Sequence, residues 1–379
     1  MKNQKIPKDI IQSAKKAGLD IDNGLASAVY VFEDEHTVVA ERKKGSDSGM
    51  IIMDIKDAIK KYPWVKDKMW SLLDKDKDEY TRKAYDGFTG GYFVWVKKGV
   101  RVDLPIQSCM MIREKGFEQI VHNIVMIEDG AHVNMLTGCF NHHPHNASKH
   151  IGMSEMFIGK GAYLNFTMVH DWGGDSFVRP KSMAVLDDGA EFISNYVMLS
   201  EVGDLQTSPV VALKGKASAA ALTSLIYGQK GSKLDVGGVI DLKGKGSKAN
   251  MVSRAIARDS SIIKSRGLIV GDDSLCKGHL ECQGLLFSDG AKIDAVPELS
   301  AKKKGATLSH EAAVGKIAPE EIIYLMSRGL SRKKAIEVIV RGFLDVKILG
   351  LPTDFQAKIK ALIDSIEAVS YTHLRAHET

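Results

Sequence analysis

Three residues in the carboxy-terminal third of the chain combine a thiol, an imidazole and a carboxylate. Cys282 is followed 28 positions later by His310, and Glu311 comes next. If one strand stacks on the other, the side chains of Cys282 and His310 lie about 5 Å apart, with Glu311 facing the opposite way. Such ligands suit iron or zinc. The competing interpretation is packing, because Leu280, Cys282 and Gly284 share one strand face, and a buried cysteine behaves as a small hydrophobe.

A second candidate is a histidine-rich loop. His142, His143 and His145 lie within four positions, and His150 follows shortly after. Imidazoles are common ligands of divalent metals, so the loop predicts a metal site. The alternative is a polar corner of the fold, because no carboxylate or thiol lies at a suitable spacing and the nearby Cys139 is expected on a strand.

The elements that must position these residues repeat along the chain. Turn glycines at positions 99, 130, 161, 189 and 215 are separated by 31, 31, 28 and 26 residues, and later turns come at about half that step. Short alternating segments fill each repeat without an amphipathic helix, which predicts a parallel β-helix. About 220 residues give roughly seven or eight coils and a rod near 35 Å long. In one coil, the residues expected to face the core are Leu234, Val236, Gly238, Ile240 and Leu242.

Both ends of the chain predict helices. Before the repeats, residues 30–41 read as a strand and residues 54–74 as helix, with Pro63 breaking or starting it. After the repeats, Pro319 suits a first helical position, Gly329 a helix carboxy-terminal cap, and Ser331 the cap of a second helix. The expected divisions are a helical amino-terminal cap (1–85), the β-helix (86–315), a helical domain (316–368, with a third helix from about 354) and an extraneous tail (369–379).

Composition and motifs exclude several classes of protein. A net charge of +5 over 379 residues is diffuse, and the basic runs 42–44 and 302–304 lack interleaved aromatic residues, so we expect no nucleic acid. No run of about 18 apolar residues and no signal peptide occur, so we expect a cytoplasmic protein that does not span a membrane. The four cysteines have no CxxC spacing and are expected as free thiols. The segment 244–247 fails the P-loop spacing, so any ATP must bind to another protein.

Several segments carry a family likeness. The carboxy-terminal ones are SHEAAVGKI (309–317), EEIIYLMSRGL (320–330) and IVRGF (339–343), and the upstream ones are LECQGLL (280–286), SPVVALKG (208–215), LTGCFNHH (136–143), HIGMSEMFI (150–158) and GYFVWVKKGV (91–100). Together they resemble the SufB/SufD family, the scaffold subunits of the Suf machine that assembles iron–sulfur clusters. The resemblance implies a mainly β fold, a right-handed parallel β-helix flanked by α-helical terminal domains.

The resemblance also implies roles for single residues. Cys282 matches the SufB cysteine at the scaffold dimer interface, and His310 matches the histidine placed opposite it. Glu311 is the SufB-like choice, where SufD-like chains tend to have glycine. One departure is Val211, which stands where better-known SufB chains carry a cysteine proposed to receive sulfur; Cys139 is a candidate substitute.

The expected function is therefore a non-enzymatic scaffold. It would build a transient Fe–S cluster on Cys282, His310 and Glu311, as a homodimer or with a SufD-like paralogue, and pass the cluster to apo-proteins. A SufC-like ABC ATPase would hydrolyse ATP and dock on the helices after Pro319. The residues expected at that contact are Ile322, Ile323, Met326 and Phe343. The alternatives are a SufD-like stabilising subunit without its own cluster, and a β-helix carbohydrate enzyme, which needs paired carboxylates and aromatic platforms.

Overall fold

The computed structural model describes residues 6–16, 19–22, 26–43, 49–143 and 147–344. The helices are α1 (Lys8–Lys16), α2 (Ile55–Lys61), α3 (Val65–Lys68), α4 (Glu79–Asp86), α5 (Pro319–Ser327) and α6 (Arg332–Leu344). The strands are β1 (Ala28–Glu33), β2 (His36–Arg42), β3 (Met50–Asp54), β4 (Tyr92–Val96), β5 (Ile106–Ile112), β6 (Glu118–Ile127), β7 (His132–Asn141), β8 (Ser148–Ile158), β9 (Tyr163–Asp171), β10 (Gly173–Leu186), β11 (Glu191–Met198), β12 (Val202–Thr207), β13 (Val210–Leu213), β14 (Ala219–Gly228), β15 (Lys233–Val236), β16 (Val239–Leu242), β17 (Lys248–Ala257), β18 (Ile262–Gly271), β19 (Lys277–Leu286), β20 (Lys292–Ala301) and β21 (Thr307–Gly315).

Two long sheets face each other and form a parallel β-solenoid of about eight turns, which confirms the predicted fold class and coil number. The first sheet, sheet A, has the order β2-β1-β5-β7-β9-β11-β14-β17-β19-β21. The second, sheet B, has the order β12-β15-β18-β16-β13-β10-β8-β6-β4-β3, with β20 beside β18. Strands pair in parallel along the rod, because each turn of chain returns in the same direction as the last.

Alternating residues build the interior of the rod. Leu234, Val236, Ile240 and Leu242 are all buried in one apolar core, as the alternation predicted. The turns stack by backbone hydrogen bonds: the amide of Gly130 donates to the carbonyl of Lys160 over 2.8 Å, and later turns repeat the contact. Gly130 has φ of 66°, a left-handed conformation that glycine adopts without strain. The turn glycines seen in the sequence therefore mark one corner of each coil.

The amino-terminal segment contributes strands to both sheets of the rod. The predicted strand 30–41 is a hairpin that turns at Asp34; β1 extends sheet A in parallel with β5, while β2 closes the edge antiparallel to β1. Pro63 does separate two helices, α2 and α3, but residues 69–74, the rest of the predicted helix, are not helical. Helix α4 was not predicted as a separate element; its capping box pairs Asp78 with Thr81.

A buried carboxylate fastens this segment to the outer face of sheet B. Glu155 of β8 accepts backbone hydrogen bonds from Trp70, Leu72 and Leu73 at 2.6, 2.6 and 3.2 Å. Its other contact is Nε2 of His122, at 2.8 Å, and both side chains are fully buried. Four partners satisfy the carboxylate, so its burial is tolerated and the irregular loop 69–73 is fixed to the rod.

The carboxy-terminal helices begin and end as predicted. Pro319 is at the first position of α5, and Gly329 follows the helix with φ of 90°. The Ser331 hydroxyl accepts the amide of Lys334 over 3.2 Å at the start of α6. Val340 and Leu344 of α6 belong to the same apolar cluster as Ile10 and Ala14 of α1, on the outer face of sheet A. The predicted third helix and the predicted tail lie outside the described residues.

Candidate functional site

Cys282 lies inside the rod, one strand from its carboxy-terminal end. The buried residues of β19 alternate, and Leu280 and Cys282 point into the core with 0% and 1% exposure. Along sheet A, Cys282 has Ser253 of β17 as its partner on one side and Ala312 of β21 on the other. The strand alternation thus places the thiol in the core, as the packing interpretation expected, but next to the last strand of its sheet.

The predicted stacking of His310 on Cys282 is wrong by two residues. His310 is opposite Leu280, because the chain takes 30 positions to return at this coil and not the 28 that separate Cys282 from His310. His310 still shares the inward face with Ala312, so its side chain starts roughly 8 Å from that of Cys282, one strand across and two residues along. The two residues are neighbours at the same end of the rod without direct contact.

Glu311 is on the opposite face of β21, as the alternation predicted. On this exposed side of the sheet, His279 Nε2 lies 3.5 Å from Glu311 Oε1. His279 Nδ1 lies 2.9 Å from the hydroxyl of Ser309. His279 was not predicted as a site residue; the signal that could have identified it is the 30-residue step, which aligns His279 with Ser309. The carboxylate side of the site is therefore a His279–Glu311 pair that is open to solvent, with Glu311 67% exposed.

Burial keeps the Cys282 thiol protonated. Desolvation raises the pKa of Cys282, the Ser265 hydroxyl lowers it, the negative charge of Glu281 raises it and the positive charge of Arg254 lowers it. Burial dominates, so the pKa is raised overall. Arg254 is itself paired with Glu281 at 2.7 Å. A protonated thiol is a poor metal ligand, so binding requires the loss of its proton and access for the metal.

The histidine loop does not form the predicted metal site among the described residues. His142 Nδ1 lies 3.1 Å from the hydroxyl of Ser13, and its ring meets that of His143 edge-on at 4.8 Å. His145 lies outside the described residues. Within the described ranges, no group of three or more histidine, cysteine or acidic side chains is arranged to hold a metal ion. His142 instead helps to seat α1, because Ser13 belongs to that helix.

A mainly apolar cavity of about 80 Å³ with several polar side chains in its lining lies in the interior between the two sheets. Its lining includes Cys139, His170 and Tyr196 toward the amino-terminal coils and Ser253 toward the carboxy-terminal coils. His170 Nδ1 lies 2.8 Å from the Tyr196 hydroxyl, and burial lowers the pKa of His170 well below its usual value. Val211, at the position expected for a sulfur-receiving cysteine, is buried in the core. Cys139, the candidate substitute for that cysteine, lines the cavity.

The residues predicted to dock a partner divide into two groups. Ile323 and Met326 are 63% and 43% exposed on α5, and Tyr324 between them is also exposed. Ile322 is buried, and Phe343 packs toward sheet A, where the guanidinium of Arg254 lies 5.8 Å from its ring centre. An exposed apolar face on α5 is therefore available, and Phe343 helps to hold α6 on the rod.

None of the helices in the described ranges combines the length and apolar character needed to cross a membrane.

Comparisons with known proteins agree with the geometry. A family model described as SUF system FeS cluster assembly, SufBD core domain, matches residues 110–343. An iron-sulfur cluster assembly SufBD family protein of Archaeoglobus fulgidus is 43% identical over 353 residues, which cover 93% of this chain and 94% of that protein. A SufBD family protein of Methanothermobacter thermautotrophicus is 39% identical over 365 residues, covering 95% and 88%. The iron-sulfur cluster assembly protein SufB of Bacillus subtilis is 23% identical over 367 residues, covering 94% and 78%.

Proposed function

Because the chain belongs to the SufBD family of iron–sulfur cluster assembly proteins, we propose that it is a scaffold on which a nascent Fe–S cluster is built and then passed to apo-proteins. The observation that carries this proposal is the open carboxy-terminal end of the solenoid. There, β21 is exposed along almost its whole length, and Cys282 lies directly beneath it. The comparisons do not favour the carbohydrate enzyme.

The cluster would be held by Cys282 and His310, with Glu311 as a helper. An Fe–S cluster needs about four protein ligands, and one chain supplies two or three at this end of the rod. A second solenoid that meets the first at β21 supplies the rest. We propose a copy of this chain as that partner, with a SufD-like paralogue as the alternative. Since Cys282 is 1% exposed, loading also requires β21 to move.

An ATPase partner would provide that movement. The scaffold itself would not hydrolyse ATP, and the cluster would be the cargo that it holds and transfers. The exposed side chains of Ile323, Tyr324 and Met326 form an apolar face on α5, and α5 follows β21 after a short connection. An ABC-type ATPase that binds this face and changes shape with ATP would pull on the chain next to the site.

The test is anaerobic reconstitution of the full chain with iron and sulfide. Cys282→Ala should reduce bound iron and sulfide to the background of unreconstituted protein, and His310→Ala should reduce both substantially. The matched control is Cys276→Ala, which removes another buried thiol from the same coil. It should load as the parent does, because Cys276 lies at the corner that precedes β19, about 20 Å along the chain from Cys282.

Full loading of a folded Cys282→Ala variant, shown by iron and sulfide content, would contradict the assignment of the site. Equal losses in the Cys282 and Cys276 variants would mean that the core, and not a ligand, was damaged. A parent chain that loads neither iron nor sulfide, alone or with its ATPase, would instead support the stabilising role of a SufD-like subunit.

A further inference from the structure

Four polar side chains form a square on the outer face of sheet A, at the open end of the rod. His279 and Glu281 belong to β19, and Ser309 and Glu311 belong to β21. The register pairs His279 with Ser309 and Glu281 with Glu311. Because side chains alternate along a strand, this outer square lies on the opposite face of the sheet from the thiol of Cys282.

The two carboxylates of the outer square are not equivalent. Glu281 Oε1 lies 2.7 Å from Nη2 of Arg254 and accepts a hydrogen bond from Nε2 of Gln283 over 2.8 Å. Glu311 is directly opposite Glu281, where like charges are unfavourable, and it is 67% exposed. With a neutral imidazole at His279, the outer square and Arg254 together carry one negative charge, which favours a cation beside Glu311.

The distance from His279 Nε2 to Glu311 Oε1 suits two ligands of one metal ion. At 3.5 Å it is longer than the N–H···O hydrogen bonds of proteins, which measure about 2.7–3.2 Å. Two ligand atoms that each lie about 2.1 Å from a tetrahedral ion are about 3.4 Å apart. Imidazole and carboxylate together are ligands of Fe²⁺ in proteins. Water can complete the coordination, because both side chains are accessible to solvent.

Ser309 can orient the imidazole for this task. Its hydroxyl oxygen lies 2.9 Å from His279 Nδ1, and a hydroxyl can accept the Nδ1 proton. In that tautomer the lone pair of Nε2 is available to a metal, which is the usual arrangement around metal-binding histidines. A site with only two protein ligands binds its ion weakly, and weak binding suits an ion that must be released again.

We propose that His279 and Glu311 bind Fe²⁺ on the outer face of sheet A and supply it to the cluster that forms at Cys282. The iron stays ferrous, and only metal–ligand bonds form and break. Among the described residues β21 is the last strand of sheet A, so the ion would lie at the strand edge, one residue from the inward-facing His310. This inference rests on the proposed function for the identity of the ion, and it gives the helper residue Glu311 a definite task.

The first experiment is an anaerobic titration of the full chain with Co²⁺ alone, a spectroscopic substitute for Fe²⁺. The signal of this site is the difference between the parent and His279→Ala. It should contain the visible bands of nitrogen and oxygen ligands and no thiolate charge-transfer band, because the thiol is on the other face. Ser309→Ala should raise Kd about tenfold, and Glu311→Gln should raise it further. Cys282→Ala should bind as the parent does.

The matched control is His36→Ala. His36 and Glu35 form another exposed imidazole–carboxylate pair, with Nε2 and Oε1 3.9 Å apart, but the two residues are adjacent in the sequence and at the other end of the rod. This variant should keep the parent affinity for Co²⁺. Equal binding by the parent and His279→Ala, a thiolate band in the difference spectrum, or equal weakening by His36→Ala would overturn the proposal.

The second experiment tests the supply of iron to the cluster. At limiting Fe²⁺ with sulfide in excess, His279→Ala should load about tenfold more slowly than the parent, following its lower affinity. At saturating Fe²⁺ it should reach the parent content of iron and sulfide, because Cys282 and His310 are intact. An unchanged rate at limiting iron would contradict the supply role.

The two hypotheses fail separately, because the Co²⁺ titration uses no sulfide and does not depend on the thiol. If Cys282→Ala loads a full cluster while His279→Ala loses Co²⁺ binding, the scaffold site is wrong and the cation site stands. If Cys282→Ala loads nothing while His279→Ala binds Co²⁺ as the parent does, the scaffold site stands and the cation site is wrong.

Discussion

The two ends of the solenoid differ in how they are finished. At the amino-terminal end the chain turns back on itself: β2 pairs antiparallel with β1, and β3 pairs antiparallel with β4. Helices α2 to α4 cover the adjoining outer face of sheet B. At the carboxy-terminal end, β21 runs parallel to β19, and within the described residues no strand pairs with its other side. At the amino-terminal end the chain's own antiparallel strands and helices cover the rod, whereas among the described residues β21 has no strand partner on its outer side.

This difference supports the proposal that a partner binds at the carboxy-terminal end. An exposed strand edge invites pairing with another chain, and natural proteins cover or interrupt such edges unless they use them. The closed end follows that rule. The open end has eight exposed or half-exposed residues after Thr307 and lies one strand from the buried cysteine. The candidate site and the strand edge that has no described partner therefore lie at the same end of the rod.

The largest effect is expected from breaking the closed end. Glu155→Ala removes the acceptor of three backbone amides and of His122, all in a buried setting. Removing one member of a buried, hydrogen-bonded ionic group costs about 3–5 kcal/mol. Denaturant unfolding of the full chain should show that loss, and the 69–73 loop should become accessible to protease.

The matched change at the open end is Glu311→Ala, which breaks the exposed pair with His279. Exposed pairs contribute at most about 1 kcal/mol, so its free energy of unfolding should change little. Glu155→Gln keeps an acceptor and should have an intermediate effect. Equal losses from the Glu155 and Glu311 variants would contradict the view that only one end is closed by its own contacts.

Much of the fold could be predicted because its signals are local and repeated. Turn glycines and alternating apolar residues specify a coil wherever they occur, so the β-solenoid and its coil number followed from the sequence. The boundaries of α5 could also be predicted, since Pro319 and Gly329 act through their own backbone geometry. For the same reason, the inward orientation of Cys282 followed from alternation within its strand.

The contacts that depend on register and on distant residues could not be predicted. A shift of two residues in the length of one coil moves the partner of Cys282 from His310 to Ala312. Nothing near Glu155 in the sequence indicates that it will bind amides more than 80 positions away. The hydrogen bond between the hydroxyls of Ser253 and Ser265 could not be predicted either, because the two residues come together only across the two sheets.

The next largest effect is expected from a substitution on α5, where we propose that the ATPase partner docks. Ile323→Asp places a charge on the exposed apolar face of α5 and should weaken binding of the ABC-type ATPase by about 2 kcal/mol, roughly thirtyfold in Kd. The control is Leu104→Asp, an exposed apolar residue beside the first coils, 41% exposed. It should bind as the parent does. Titration calorimetry with both variants measures the two constants, and equal weakening would exclude α5 as the specific contact.

The smallest effect is expected from a substitution in the edge strand β21. Ala312→Lys adds a charged side chain in the middle of β21, the device by which natural edge strands prevent pairing. If two copies meet at β21, the dissociation constant of the dimer should rise by roughly tenfold, or about 1.4 kcal/mol. His36→Lys makes the same change at the exposed start of β2, on the edge strand of the closed end, and should leave association unchanged.

Sedimentation over a range of concentrations distinguishes these outcomes, because a tenfold change in Kd shifts the midpoint of the monomer–dimer curve by the same factor. A parent chain that stays monomeric at every concentration would favour a SufD-like partner over a second copy. Dimers that Ala312→Lys leaves intact would place the joint elsewhere. In that case the edge of β21, which has no strand partner among the described residues, would need another explanation, because such edges invite pairing with other chains.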